Sequence, residues 1–333
     1  MFQSLGPESE DMEVLIQDEP AFAHASLTSL SASANTYIRQ SKAKNTIKAY
    51  QSDWRSFCTW CDERHFSSLP AEPQTVALYL TDMADRGYRT STIGRHMISI
   101  GLAHRTKGFP SPTADETVRA VWRGIRNTLG VAPHGKRPIL VEDLRRMLQH
   151  VPNDLMGLRD RALLLIGFAG AFRRSEIVAL NVEDVEFVRE GLVITLRRSK
   201  TDQEGEGRKV GIPYGSFIET CPVRALQAWL TATGIESGPL FRPVSKAHDV
   251  RDARLSDKTV ARIVKRYVRL IGLDQRHYAG HSLRAGLATS AAMVGVSERD
   301  IMAQTGHKSP MMVRRYIRDS NLFRSNAAAR IGL

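Results

Sequence analysis

Residues 281–318 read HSLRAGLATSAAMVGVSERDIMAQTGHKSPMMVRRYIR, and their spacing sets the character of the C-terminal half. Apolar residues at helical intervals predict helices over about 282–294, 297–304 and 309–318. His281 and Arg284 stand three apart, so one helix face would carry both toward a single anion. Gly306-His307 falls between two helices, and Tyr316 follows nine residues after His307. Each piece alone is weak, because such pairs are frequent and a lone tyrosine is most often a core residue. His277 and His281 have the helical spacing of metal ligands. The zinc pattern, however, needs Glu after the first histidine, and Tyr278 stands there, so no metal is expected.

Upstream, the same domain begins at Pro138. Helices are expected at about 141–150, 157–170, 222–233 and 256–271, with Val193-Ile-Thr-Leu196 and Lys209-Val-Gly-Ile212 as short strands. The stretch from Asp202 to Arg208 between them is polar with two glycines, as a hairpin loop would be. Residues 130–138, GVAPHGKRP, combine two prolines, two glycines and adjacent cations without apolar periodicity, and read as an interdomain linker. Residues 35–129 read as four amphipathic helices. The first carries Ile47, Tyr50, Trp54, Phe57 and Cys61, with Ser41 or Asn45 as its cap. The second runs from Val76 to a stop at Gly87, the third starts at Thr90 or Ser91, and the fourth spans about 114–129. Short links between such helices make a small bundle. The expected class is therefore mostly α, with a small antiparallel β-sheet in the C-terminal domain.

Composition narrows the function. Hydrophobic residues are 42% and charged residues 25% of 333, the profile of a soluble globular chain. The longest apolar run, Ala162 to Phe172, is far short of the roughly 20 residues that cross a bilayer. No basic region precedes an apolar run at the N-terminus, so a cytoplasmic, nucleoid-associated protein is expected, without a membrane partner. Net charge is +12, yet the chain before Arg39 holds six acids and no Lys or Arg, leaving +18 on residues 39–333. A body this basic suits a polyanion, nucleic acid first among them. Residues 1–34 are expected to form an acidic, disordered leader. Cys58 and Cys61 lie on a helical pattern beside Trp60, which reads as a reduced pair on a buried face rather than a redox centre. No phosphate-binding glycine loop or nicotinamide fingerprint is present in the sequence, so chemistry without a nucleotide cofactor is expected.

Taken in order, Arg173-x-x-Glu176, Lys200 in the hairpin, His281-x-x-Arg284, Gly306-His307 and Tyr316 resemble the active-site signature of the tyrosine recombinase (phage integrase) family. The resemblance spans the chain from about residue 35 and is closest to the family's Cre branch, through Leu69-Pro-Ala-Glu-Pro73, Gly101-Leu-Ala-His-Arg105 and Tyr316-Ile-Arg318. His307 is the residue most of the family carries, where Cre has Trp. The resemblance implies a two-domain DNA clamp: a helical core-binding domain at 35–129, a linker at 130–138 and a catalytic domain at 139–333. It also implies cleavage and rejoining of DNA through a 3′-phosphotyrosine and a Holliday junction, with no cofactor. Tyr316 would be the nucleophile, Arg173 and Arg284 the clamps on the phosphate oxygens and Lys200 the general acid. His281 would take or relay the tyrosine proton, His307 would donate to the phosphate, and Glu176 would hold a cationic or imidazole partner. Arg174 puts a charge where the family has an apolar residue, but Arg173 fits the spacing to Glu176. The charge requirements agree, since guanidiniums offer rigid paired donors at any working pH and a phenolate leaves more readily than an alkoxide.

Contacts to DNA are expected from Lys42, Lys44, Lys48, Arg89 and Arg95 in the bundle, and from Lys258, Arg262, Lys265 and Arg266 on the helix after Ser256. Lys258 matches a position that reads guanine in the Cre branch; the alternative is a face that only contacts phosphates. The family's scheme implies a homotetramer on two duplexes with inverted-repeat target sites, accessory proteins being possible. It also implies a C-terminal helix over Leu322–Leu333 that docks into a neighbouring protomer, the alternative being packing on its own domain. Competing readings are a DNA-binding protein that has lost its chemistry, and a type IB topoisomerase or nuclease sharing the pocket.

Overall fold

The computed structural model describes residues 37, 43–131, 135–197 and 206–321, the side chains at 44 and 318–321 excepted. The expectations placed on residues 1–34, Lys42, the Lys44 side chain, Lys200 and the helix over 322–333 lie outside the described residues. The chain divides into two compact units, 1–133 and 134–333.

The first unit is built from α1 (Lys44–Asp62), α2 (Pro73–Asp85), α3 (Thr90–Thr106) and α4 (Glu116–Leu129). Side-chain caps fit only some of the starts. Asp115 accepts from the Thr117 amide (2.8 Å) at the head of α4, and Pro73 opens α2 where an amide hydrogen would have no helical partner. Asn45 does not cap α1, since Ala43 is the boundary and Asn45 already lies in the first turn; the other expected cap, Ser41, is outside the described residues. Phe57, Val76, Leu80, Ile93, Ile100 and Val118 are wholly buried between the helices, each stabilising by about 1.5–3 kcal/mol. Cys58 and Cys61 lie in this core as free thiols, and burial pushes Cys61 up to about 12, which disfavours the thiolate a redox pair would need.

Two buried polar devices fix the bundle. The Ala71 amide donates to His104 Nε2 (2.9 Å), so the ring proton sits on Nδ1 and donates to the Ile100 carbonyl (2.8 Å). The Leu69–Pro73 and Gly101–Arg105 segments are thus one packing unit. Asp53, also buried, accepts from Arg95 Nε (2.6 Å) and Nη2 (3.0 Å) and faces His96 Nε2 (3.1 Å), whose Nδ1 meets Tyr79 Oη (2.8 Å).

The second unit holds α5 (Val141–Gln149), α6 (Leu155–Ala169), α7 (Arg174–Ala179), β1 (Val185–Val188), β2 (Gly191–Leu196), β3 (Arg208–Pro213) and α8 (Pro222–Thr233). It continues through α9 (Asp257–Leu270), α10 (His281–Met293), α11 (Glu298–Thr305) and α12 (Pro310–Asn321). The strands form an antiparallel sheet in the order β1-β2-β3, with Leu192 opposite Ile212 and Ile194 opposite Val210. These four residues face the core, which α6 crosses with Ala162 to Phe168 buried. No described helix is long and apolar enough to cross a membrane.

Several expectations need correction. Strand β1 and helix α7 were not anticipated: β1 is a four-residue edge strand whose burial does not alternate, and six residues of α7 are too few for periodicity. His277 ends a 3₁₀ turn (Gln275–His277) while His281 begins α10, so the two do not share a helix and the metal-type spacing is not realised. The boundary between the two units falls within the stretch read as a linker, and its last residues, Lys136 and Arg137, belong to the second unit. Lys136 Nζ donates to the Arg276 carbonyl and the Arg137 amide to that of His277 (2.8 Å).

Candidate active site

The end of α6 and the start of α7 create the first half of the site. Ala171 adopts φ +50°, a left-handed conformation that costs an L-residue of order 1–3 kcal/mol, and its carbonyl accepts from Arg284 Nη1 (2.9 Å). The chain then turns into α7 with Arg173 as its cap. Glu176, three residues on, accepts from the Arg173 amide through Oε2 (2.8 Å) and from Arg173 Nη1 through Oε1 (2.5 Å). The Arg-x-x-Glu spacing is therefore the spacing of a helix start, with the carboxylate satisfying an amide that would otherwise lack a partner. The neighbouring cation goes elsewhere: Arg174 pairs with Asp257 (3.1 Å) and is half exposed.

The second half comes from α10. Arg284 is wholly buried, and its Nε and Nη2 have no hydrogen-bond partner among the described residues. Two orphaned donors on a buried guanidinium cost free energy unless an acceptor fills the space before them. Burial first, then the neighbouring Arg173 and Arg208, push Arg284 down to about 10, against the opposing pull of Glu176 and Tyr316. Among the described residues, three guanidiniums and one carboxylate converge here.

His307 and Tyr316 complete the group. Gly306 ends α11 at φ +66°, and a Cβ on it would come within 2.8 Å of Arg208 Nε, so glycine is required both for the turn and for the approach. His307 follows directly, its ring centroid 6.2 Å from that of Tyr316. Burial, then Arg284, Arg173, His281 and Arg208, hold His307 down to about 4, so it is neutral at physiological pH. On α12, Tyr316 packs with Ile317 against Ala288, Ala292, Ile301 and Val313. His281 opens α10 as an exposed residue. Thus Arg173, Glu176, His281, Arg284, His307 and Tyr316 are brought together, while Lys200 lies outside the described residues.

Arg208 was not among the expected site residues. At the start of β3 it donates through Nη1 to the Gln304 carbonyl (3.1 Å), with longer contacts from the same guanidinium to the Ala303 and Thr305 carbonyls (both 3.4 Å). It thereby closes the C-terminal end of α11, where a cation is favoured. The signal was present: alternation puts Arg208 on the face of Val210 and Ile212, an inward position for a cation.

The expected DNA-contact residues divide. On α9, Lys258, Arg262, Lys265 and Arg266 form one stripe opposite the buried Val260, Ile263, Val264 and Tyr267. Lys258 and Arg262 are exposed, and Arg266 lies 3.6 Å from the buried Asp160. In the bundle, Lys48 and Arg89 are exposed, as are Arg119, Arg123 and Arg126 on α4. Arg95 is committed to Asp53 by two hydrogen bonds.

Comparison with known proteins places these features in a family. Residues 137–322 match the phage integrase family, and residues 35–102 match the phage integrase N-terminal SAM-like domain. The chain is 45% identical over 306 residues to an integrase/recombinase XerD homolog of Selenomonas ruminantium, covering 91% of this chain and 89% of that protein. It is 29% identical over 300 residues to the Cre recombinase of Escherichia phage P1, covering 84% and 86%. The similarity expected to peak in the Cre branch is therefore stronger toward the XerD homolog. In fold, the chain is similar to XerH site-specific recombinase bound to palindromic difH substrate in a post-cleavage complex, with TM-score 0.67, 16% identity and 98% of each chain covered. The chain belongs to the phage integrase family of tyrosine recombinases.

Proposed function

We propose that the protein is a site-specific DNA recombinase that cleaves and rejoins DNA through a covalent link to Tyr316, without a cofactor. The observation that carries this reading is Arg284: a wholly buried guanidinium with two donors unpartnered among the described residues, beside Arg173 and facing the electrostatic influence of Tyr316. Such a cradle suits the non-bridging oxygens of a phosphodiester, whose charge grows in the pentacoordinate transition state. The phenolate oxygen of Tyr316 attacks phosphorus, a P–O bond to the tyrosine forms, and the bond to the 5′-oxygen breaks. The departing 5′-oxygen takes a proton, for which Lys200 is the assigned donor. A 5′-hydroxyl from the second duplex then attacks the 3′-phosphotyrosine, releasing Tyr316 and conserving the number of phosphodiester bonds. His281 takes or relays the phenol proton, and Glu176 fixes Arg173 in place.

The partner is double-stranded DNA, gripped by exposed cations of both units such as Lys48, Arg89, Lys258 and Arg262. Arg95, tied to Asp53, is a structural residue rather than a phosphate contact in this reading. Exchange between two duplexes needs four cuts, which implies four protomers on paired inverted-repeat sites.

A suicide duplex whose cleaved end is lost by diffusion tests the reading. Wild type should accumulate a covalent adduct on the 3′ side, and Tyr316→Phe should give none. Equal products from both proteins would refute it, and free ends would make a nuclease the better name.

A further inference from the structure

We propose that Thr305 is a positioning residue that fixes the ring proton of His307 on Nδ1. The neutral imidazole then offers Nε2 as an acceptor, and it becomes a donor to phosphate only by taking up a proton when DNA binds. Thr305 is wholly buried in the last turn of α11, and its Oγ1 lies 2.6 Å from the Ile301 carbonyl and 2.7 Å from His307 Nδ1. A hydroxyl has one hydrogen, and a carbonyl oxygen can only accept. The hydrogen therefore goes to Ile301, and Oγ1 must accept from His307, which places the ring proton on Nδ1.

The surroundings decide what that tautomer means. Among the described residues, the charged and titratable groups that face His307 are Arg173 ahead of α7, Arg208 on β3, His281 and Arg284 on α10, and Tyr316 on α12. Burial first, then the positive charge of Arg284, Arg173, His281 and Arg208, keeps the imidazole neutral in the DNA-free protein. Arg208 also grips the carbonyls beside Thr305, so the β3 strand and the end of α11 hold one another in register. A phosphodiester entering this cradle adds a negative charge, offsets the guanidiniums and favours the imidazolium. The proton comes from solvent, Nε2 becomes a donor, and the transition state gains a hydrogen bond that the ground state of the free protein does not offer.

This inference rests on the reading of the site as a phosphate-cleaving centre, but its test does not depend on cleavage. Full-length protein labelled with ¹⁵N-histidine would be recorded without DNA at neutral pH, with His307 assigned by the signals lost in His307→Gln. The expected pattern is a protonated Nδ1 and an unprotonated Nε2. Thr305→Ser, which keeps the hydroxyl, should preserve that pattern and the cleavage rate. Thr305→Val should mix or reverse the tautomers and slow cleavage roughly tenfold to a hundredfold at unchanged DNA affinity. Calorimetry of binding in buffers of different ionisation enthalpy should report uptake of about one proton by wild type. A wild-type His307 protonated on Nε2, or a Val variant with an unchanged spectrum, overturns the proposal. The Nδ1 pattern together with an absence of cleavage would retire the recombinase reading and leave the Thr305 assignment standing.

Discussion

Replacing Glu176 by Gln removes one charge from the centre of the cradle while keeping its shape. Glu176 is 3% exposed, and both its oxygens accept from Arg173, one from the amide and one from Nη1. A glutamine retains one acceptor, so its NH₂ must face either an amide or a guanidinium, donor against donor. The same change removes the carboxylate that offsets the mutual repulsion of Arg173, Arg208 and Arg284. Unpairing one member of a buried ion pair costs about 3–5 kcal/mol. Arg173 keeps 16% of its side chain in solvent, which places the expected loss at the lower end, about 3 kcal/mol. Urea unfolding of the full-length chain should show a midpoint lower by about 1 M in the transition that reports the second unit. Inorganic phosphate should recover more of the stability in the variant than in wild type, because an anion replaces the missing charge. A loss below about 0.5 kcal/mol, the level of an ordinary surface substitution, with no extra phosphate effect would refute this electrostatic account.

Other perturbations read other parts of the molecule. Arg284→Lys substitutes a point charge for the planar fork and should slow cleavage on the order of 10²–10³-fold, measured as single-turnover adduct formation, with a smaller loss in DNA binding. His104 is held below its ordinary value by burial, so the unfolded chain binds the proton more readily than the folded bundle does. Its contribution is present above about pH 6.5 and is lost as the pH falls toward the depressed folded value, so the urea midpoint should drop between pH 7 and pH 5. His104→Gln should flatten that dependence in the bundle transition. Gly286→Ala would drive a Cβ to 1.9 Å from the Ile139 carbonyl and 2.9 Å from the Phe168 ring, and should destabilise the second unit by about 1–3 kcal/mol or more in the same unfolding assay.

The sequence made some of this structure legible for identifiable reasons. Helix α8 coincides with its expected span because Pro222 opens it and Gly234 closes it, so both ends carry their own signal. The β2–β3 hairpin was visible from two apolar runs around a polar, glycine-bearing turn. Helix α7 was not, since its six residues are set by the Arg173–Glu176 contact rather than by a periodic apolar face. The distinction between Arg173 and Arg174 likewise needed three dimensions: adjacent side chains diverge, one to Glu176 and the other to Asp257. Basicity on a helix did not reveal which cations are available. Arg95 reads like Arg89 in sequence, but the partner that occupies it, Asp53, lies 42 positions away on another helix. Alternation in β3 marks Arg208 as an inward cation, but its acceptors at 303–305 lie 95 to 97 positions away, and the role of Thr305 rests on the path of the chain from Ile301 to His307 rather than on any apolar pattern.

Everything in this mechanism turns on Tyr316 becoming bonded to DNA. Mass spectrometry of the adduct trapped on a suicide duplex, after nuclease and protease digestion, tests it most directly. The expected product is a single modified peptide containing Tyr316 with its phenolic oxygen esterified to a 3′-phosphonucleotide. A nucleotide on any other side chain, or cleaved DNA with Tyr316 unmodified, would contradict it.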